Sequence, residues 1–220
     1  MIEIIPSILT NDPQELRELL YRCEGVTNRV SIDIIDGKFA NNKTIEPDTL
    51  FNIETGLKID YQLMVEEPVH WIERCVRGQA DRIIGHVEKM RDQIEFVGKV
   101  QEVGAQVGLA LDLPTQVSKL DETILTNLDV VLVMSVEAGF GGQKFSDQAI
   151  KKIKRLSEFR ERDKTPYRIQ DDGGVTFEKI DDAHFAGADE VSIGRKIFVG
   201  DLSENLKIFQ EAAHRLGTSN

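Results

Sequence analysis

Two kinds of residue in this chain are placed where they could do chemistry. The first are carboxylates inside an apolar run. In Ser31-Ile32-Asp33-Ile34-Ile35-Asp36-Gly37-Lys38-Phe39 the β-branched residues predict a buried strand. A charge in such a strand is costly unless it is paired, ligated or neutralised. A strand-end cap or a buried ion pair would account for Asp33 and Asp36, and so would acid–base work at the mouth of a barrel. The second are glycines: Gly139-Phe140-Gly141-Gly142, Gly173-Gly174 and Gly194-Arg195 follow three successive predicted strands. Glycine lets backbone N–H groups approach an anion closely, and three such turns in series point to a phosphate site. Arg195 is then either a charge-assisted phosphate contact or a solvated cation.

The elements that must position these residues alternate along the chain. Apolar runs predict strands over 2–9, 29–35, 57–65, 81–87, 106–111, 128–135, 167–169 and 190–193. Between and after them, helical patterns cover 14–23, 68–76, 91–103, 147–162, 177–185 and 202–216, with a short helix from Pro47 to near Gly56 and a weaker one from Pro114. Strands alternating with helices make a parallel sheet, and eight units at this length predict a closed (β/α)8 TIM barrel forming a single domain over 1–220. An open doubly wound sheet would carry GxGxxG after its first strand; Pro6-Ser7-Ile8 stands there instead.

Composition excludes several classes. A net charge of −11 argues against a nucleic-acid binder, which needs a basic patch. Cys23 and Cys75 have no metal-ligand spacing and predict buried thiols in a reducing compartment. No run is long enough to span a membrane, and the N-terminus lacks the basic and apolar regions of a signal peptide; a cytoplasmic protein is expected. His70, His184 and His214 fall on predicted helices as surface groups, Trp71 is expected to pack against the barrel, and Lys151-Lys152-Ile153-Lys154-Arg155 reads as a solvated helix face. Glu66 and Glu67 open a helix, where they suit its dipole.

The chain resembles the ribulose-phosphate 3-epimerase family along essentially its whole length. The likeness is carried by Ile5-Pro6-Ser7-Ile8-Leu9, Asp33-Ile34-Ile35-Asp36-Gly37-Lys38-Phe39, Gln62-Leu63-Met64, the segment from Met134 through Gly139-Phe140-Gly141-Gly142-Gln143-Lys144-Phe145, Asp172-Gly173-Gly174-Val175 and Ile193-Gly194. The resemblance implies a (β/α)8 barrel acting on a small-molecule ketose phosphate as a homo-oligomer. It implies that Asp33 and Asp172 are the acid/base pair, that Ser7, Met64 and Met134 line the sugar pocket, and that the glycine turns hold the phosphate. Inverting a carbon beside a ketone removes a proton from one face and returns one to the other, which two carboxyls can do if one is ionised and the other protonated.

The resemblance also implies a divalent metal held by the two Asp and two His, and here the sequence departs from it. Ser31 and Gln62 occupy the two histidine positions. Asp33 and Asp172, with that amide and hydroxyl, form a hard-oxygen set that suits Mg²⁺ or Mn²⁺ better than Zn²⁺, or no metal at all. Ile35, Asp171 and Arg195 also differ from the residues usual at their positions. His86, in Gly85-His86-Val87-Glu88, is the histidine expected on the rim, either in the site or simply bonded to its loop; Lys38 and Lys144 read as solvated loop cations, and Asp36 as a turn residue or a carboxylate that orients the loop. Three activities follow: a phosphosugar 3-epimerase of the D-ribulose 5-phosphate/D-xylulose 5-phosphate type, a metal-independent isomerase or lyase in the same barrel, and a non-catalytic phosphosugar-binding protein.

Overall fold

Eight parallel strands close on themselves in chain order in the computed structural model, which describes residues 2–213. They are β1 (Glu3–Ile8), β2 (Arg29–Ile35), β3 (Lys58–Met64), β4 (Ala80–His86), β5 (Gln106–Leu111), β6 (Val130–Met134), β7 (Arg168–Asp172) and β8 (Glu190–Ile193). The last pairs with the first, Pro6 opposite Ile193, which makes this a (β/α)8 TIM barrel.

Six α-helices among the described residues, rather than eight, cover the outside: α1 (Pro13–Cys23), α2 (Ile72–Arg77), α3 (Gln93–Glu102), α4 (Gln148–Asp163), α5 (Ile180–Ala186) and α6 (Leu202–Ala212). The helices expected from Pro47 and from Pro114 are short 3₁₀ turns, Pro47–Asn52 in the first case, and Val117–Lys119 with Glu122–Asn127 in the second. Proline starts a 3₁₀ turn as readily as an α-helix, and the Asp, Thr and Asn residues that follow are poor helix formers. Elsewhere the caps work as their chemistry predicts: Asp12, Asp92 and Asp201 each accept a backbone N–H of the first turn of α1, α3 and α6. His214 lies outside the described residues, as does the end of the expected last helix.

Two apolar clusters pack on either side of the strands. The larger one fills the space between barrel and helices, and Trp71 packs against it. The smaller includes Ile35, Met64, Ile84, Ala110, Leu132 and Met134 inside the barrel. Beneath this inner layer the N-terminal end of the barrel is closed by charge. Arg82 donates to Asp60 (Nε to Oδ2, 3.0 Å) and to Glu190 (Nη2 to Oε2, 2.7 Å), with all three side chains buried. Arg29 adds Asp60 and Asp81, and Arg168 adds Glu190 and Glu3. The polar residues that remain inside are therefore divided between this ionic floor and the opposite, C-terminal mouth, where barrel loops build sites.

Candidate active site

A cavity of about 200 Å³ opens at the C-terminal mouth. Its walls bring together all the residues expected to hold a sugar phosphate: Ser7, Met64 and Met134 from strand ends, and the turns carrying Gly139-Phe140-Gly141-Gly142, Gly173-Gly174 and Gly194-Arg195. Asp33 and Asp172 line it too. Strand seven extends to Asp172 rather than stopping at 169, so the second carboxylate sits on the rigid end of a strand. Ser31 and Gln62 do not reach the cavity wall; both are fully buried within the barrel.

The glycine loop after β6 is fixed by side chains that its sequence supplies. Gln143 Nε2 donates to the carbonyls of Glu137 (2.6 Å) and Phe140 (2.8 Å), and Asn42 Nδ2 donates to the carbonyl of Gly139 at 2.8 Å. Gly174 adopts φ +63°, and a Cβ there would lie 2.6 Å from the Phe145 nitrogen and 2.7 Å from the Gln143 carbonyl oxygen. Glycine at 174 therefore lets the turns after β6 and β7 meet. Asp36 takes a separate task. It accepts the backbone N–H groups of Glu66, Lys38 and Phe39 at 2.8–2.9 Å, tying the β2 and β3 loops together. Its partial burial opposes ionisation, but these bonds hold the carboxyl below its ordinary range.

The two cavity carboxyls are both pushed upward. Burial raises Asp33 most, the charge of Asp172 adds to it, and the Ser7 hydroxyl, donating to Oδ2 at 3.2 Å, opposes it. Burial also raises Asp172, to about 6, with Gln62 and His86 acting the other way. Burial favours the neutral form of both carboxyls, and a charge on Asp172 opposes ionisation of Asp33 beside it, so the pair resists losing both protons, the condition under which one carboxyl can act as acid and the other as base.

Gln62 lies between them. With its Oε1 toward the carboxyls, that oxygen faces only acceptors, while Nε2 is left to His86 Nε2 and the Met134 sulfur. The reverse orientation satisfies both ends: Nε2 donates to Asp172 Oδ2 at 2.9 Å and to Asp33 Oδ1 at 3.3 Å, and His86 Nε2 donates to Oε1 at 3.2 Å. His86 is fully buried; its Nδ1 lies 3.2 Å from Glu88 Oε2, and the Phe39 ring packs edge-on at 5.1 Å. Glu88 in turn accepts the Asp112 N–H at 2.8 Å. His86 thus belongs to the site rather than merely to its loop. Sequence reasoning did not single out Glu88, whose one signal is its place two residues after His86 at a strand end, or Lys196, which lines the cavity beside Arg195.

The donor set does not match the divalent metal that the resemblance implies. Asp33 and Asp172 are its only anionic members, and the Ser31 hydroxyl is buried with no hydrogen-bond partner rather than turned to them. Gln62 offers the carboxyls N–H groups, not an oxygen, in the orientation that satisfies its neighbours. Among the described residues, no cluster of three or more His, Cys, Asp or Glu side chains could hold a metal. Arg195 and Lys196 line the cavity, whereas Lys38, His70 and His184 are not on its wall. Lys38 is exposed and paired with Glu66, His70 is exposed on its 3₁₀ turn, and His184 is half-buried on α5. No described helix is long and apolar enough to cross a membrane.

The model of the Ribulose-phosphate 3 epimerase family matches residues 3–198. Ribulose-phosphate 3-epimerase of Aquifex aeolicus is 33% identical over 198 residues, covering 89% of each chain, and that of Bacillus subtilis is 33% identical over 202 residues, covering 90% of this chain and 93% of its own. Among solved structures, 3-keto-L-gulonate-6-phosphate decarboxylase from Vibrio cholerae superposes with a TM-score of 0.68 over 97% of this chain and 98% of its own, at 11% identity, a likeness of fold alone. Family model, relatives and barrel agree, and the chain belongs to the ribulose-phosphate 3-epimerase family of isomerases.

Proposed function

We propose that this protein is a phosphosugar epimerase that inverts C3 of a ketose phosphate of the D-ribulose 5-phosphate/D-xylulose 5-phosphate type. The observation that carries the reading is the pair Asp33 and Asp172, two buried carboxyls that line one cavity with three glycine turns. The turns bind the phosphate through backbone N–H groups, with Arg195 beside them. Ser7, Met64 and Met134 shape the sugar pocket. Asp172 takes the C3 proton, the bonding pair moves into the C2–C3 bond, and the C2 oxygen gains the charge of an enediolate. Asp33 then delivers its proton to the opposite face of C3 while the C2 carbonyl reforms. The reverse reaction exchanges the two roles, as microscopic reversibility requires. A lyase would break a carbon–carbon bond at this site, and a mere binder would leave C3–H intact.

Deuterium incorporation at C3 of D-ribulose 5-phosphate in D2O separates these readings. Exchange with formation of the 3-epimer is expected. Asp33→Asn and Asp172→Asn should each remove exchange while leaving phosphate affinity within about threefold, because neither change touches the turns. Near-full turnover in either variant would refute the acid/base assignment.

A further inference from the structure

Two buried carboxyls that share a dry pocket repel each other when ionised and need a group between them that offers positive charge or hydrogen-bond donors. A metal is one such group. The side chains here supply another. The orientation of Gln62 that bonds both carboxyls and His86, at the expense of the contact with the Met134 sulfur, directs one nitrogen at Asp172 (2.9 Å) and Asp33 (3.3 Å). An amide nitrogen carries two N–H groups, so it can serve both at once. Its register makes this reach possible: Gln62 is opposite Asp33 on β2 and opposite Ile84 on β4, two residues before His86.

We propose that the Gln62 amide, held in place by His86 and Glu88, is the bridge between Asp33 and Asp172, and that the site works without a divalent metal in that position. This rests on the epimerase reading above. The chain of support is continuous. The Asp112 backbone N–H fixes Glu88, Glu88 faces His86 Nδ1, and His86 Nε2 donates to the Gln62 oxygen. His86 is thereby held at both ring nitrogens, by Glu88 on one side and the Gln62 amide on the other. Turning the amide over to present its oxygen to a metal would direct its N–H groups at His86 Nε2 and the Met134 sulfur and would forfeit both bonds to the carboxyls. Ser31 fits the same picture. It supplies a neutral hydroxyl, bonded to neither carboxyl, at the position where the resemblance places a histidine. Gln62, His86 and Glu88 act through the two Asp side chains and are positioning residues.

The first test uses the wild-type protein. After treatment with EDTA it is titrated with Mn²⁺ while the EPR signal of free Mn²⁺ is followed, and C3 deuterium exchange is measured with chelator and with added Mn²⁺. Exchange that is unchanged within twofold by EDTA, with no stoichiometric loss of the Mn²⁺ signal, is expected. The second test is Gln62→Met, which keeps the length of the side chain and removes both N–H groups. It should lower kcat about 100-fold with KM held within about threefold, because the lost bonds act on the reacting groups and not on the phosphate. Stoichiometric Mn²⁺ binding, exchange that vanishes on chelation and returns with Mn²⁺, or an unchanged kcat in Gln62→Met would each overturn the proposal while leaving the epimerase reading intact. Absence of wild-type exchange under every condition would overturn the epimerase reading and this proposal together. Should Gln62→Met fail to fold, the wild-type chelation and EPR results still decide.

Discussion

Asp171 offers a measurement of how strongly this barrel controls its carboxyls. Alternation along β7 turns it to the side of the strand opposite Asp172. It is fully buried; Oδ1 accepts the Ser135 hydroxyl and Oδ2 has no partner. Burial raises its pKa from 3.8 to about 7; the Ser135 bond lowers it and the charge of Asp172 adds to the rise. A carboxyl raised in this way binds its proton more tightly in the folded chain than in the unfolded one. Its contribution is favourable below the unfolded value and is lost as pH climbs through about 7. At 1.36 kcal/mol per unit, the part lost between pH 5 and pH 8 is about 2–3 kcal/mol. Asp171→Asn keeps the shape and the acceptor for Ser135 but cannot ionise. Urea unfolding of the two proteins at pH 5, 6, 7 and 8 should give curves that diverge, with the variant gaining about 2–3 kcal/mol on wild type toward the alkaline end. Asp33, Asp60 and Asp172 also rise on folding, but they are common to both proteins, so the difference isolates position 171. Parallel curves, within about 0.5 kcal/mol across the series, would refute the argument that burial holds Asp171 neutral.

Two further substitutions probe the two ends of the barrel. Gly174→Ala forces a side chain into a left-handed backbone position and against the 143–145 segment; affinity for inorganic phosphate by calorimetry should fall at least about tenfold with the fold retained, and an unchanged Kd would separate this turn from the anion. Arg82→Met removes the cation shared by the buried Asp60 and Glu190 carboxylates and leaves each with one partner, Arg29 and Arg168; unfolding stability should drop by about 3 kcal/mol at pH 7, and a loss under about 1 kcal/mol would show the shared cation to be dispensable.

Much of this was readable from the residues. The eight strands announce themselves as apolar, β-branched runs, and the glycine turns after strands six to eight lie together in the cavity where their spacing placed them. The errors have physical causes. Strand seven was cut short because Gln170-Asp171-Asp172 looks polar, yet all three are buried. Two of the expected helices are 3₁₀ turns because proline marks a start without specifying how the turn continues.

The link least accessible to sequence is also the one on which the site depends. Gln62 and His86 are 24 positions apart and meet only through the register of β3 on β4. Read singly, Gln62 is a lost ligand and His86 a rim histidine. Together with Glu88 they form a hydrogen-bonded line from the Asp112 backbone to both cavity carboxyls. The ionic floor beneath cannot take over this role. Its Arg29 and Arg82 are already committed to Asp60, Asp81 and Glu190, and the apolar layer that includes Ile84, Ala110 and Leu132 lies between. With those cations engaged elsewhere, the asymmetry between Asp33 and Asp172 has to be set locally. Ser7 bonds one carboxyl, His86 lowers the other, and Gln62 spans both. That local arrangement is what lets one of two chemically identical side chains hold a proton while the other is ready to take one.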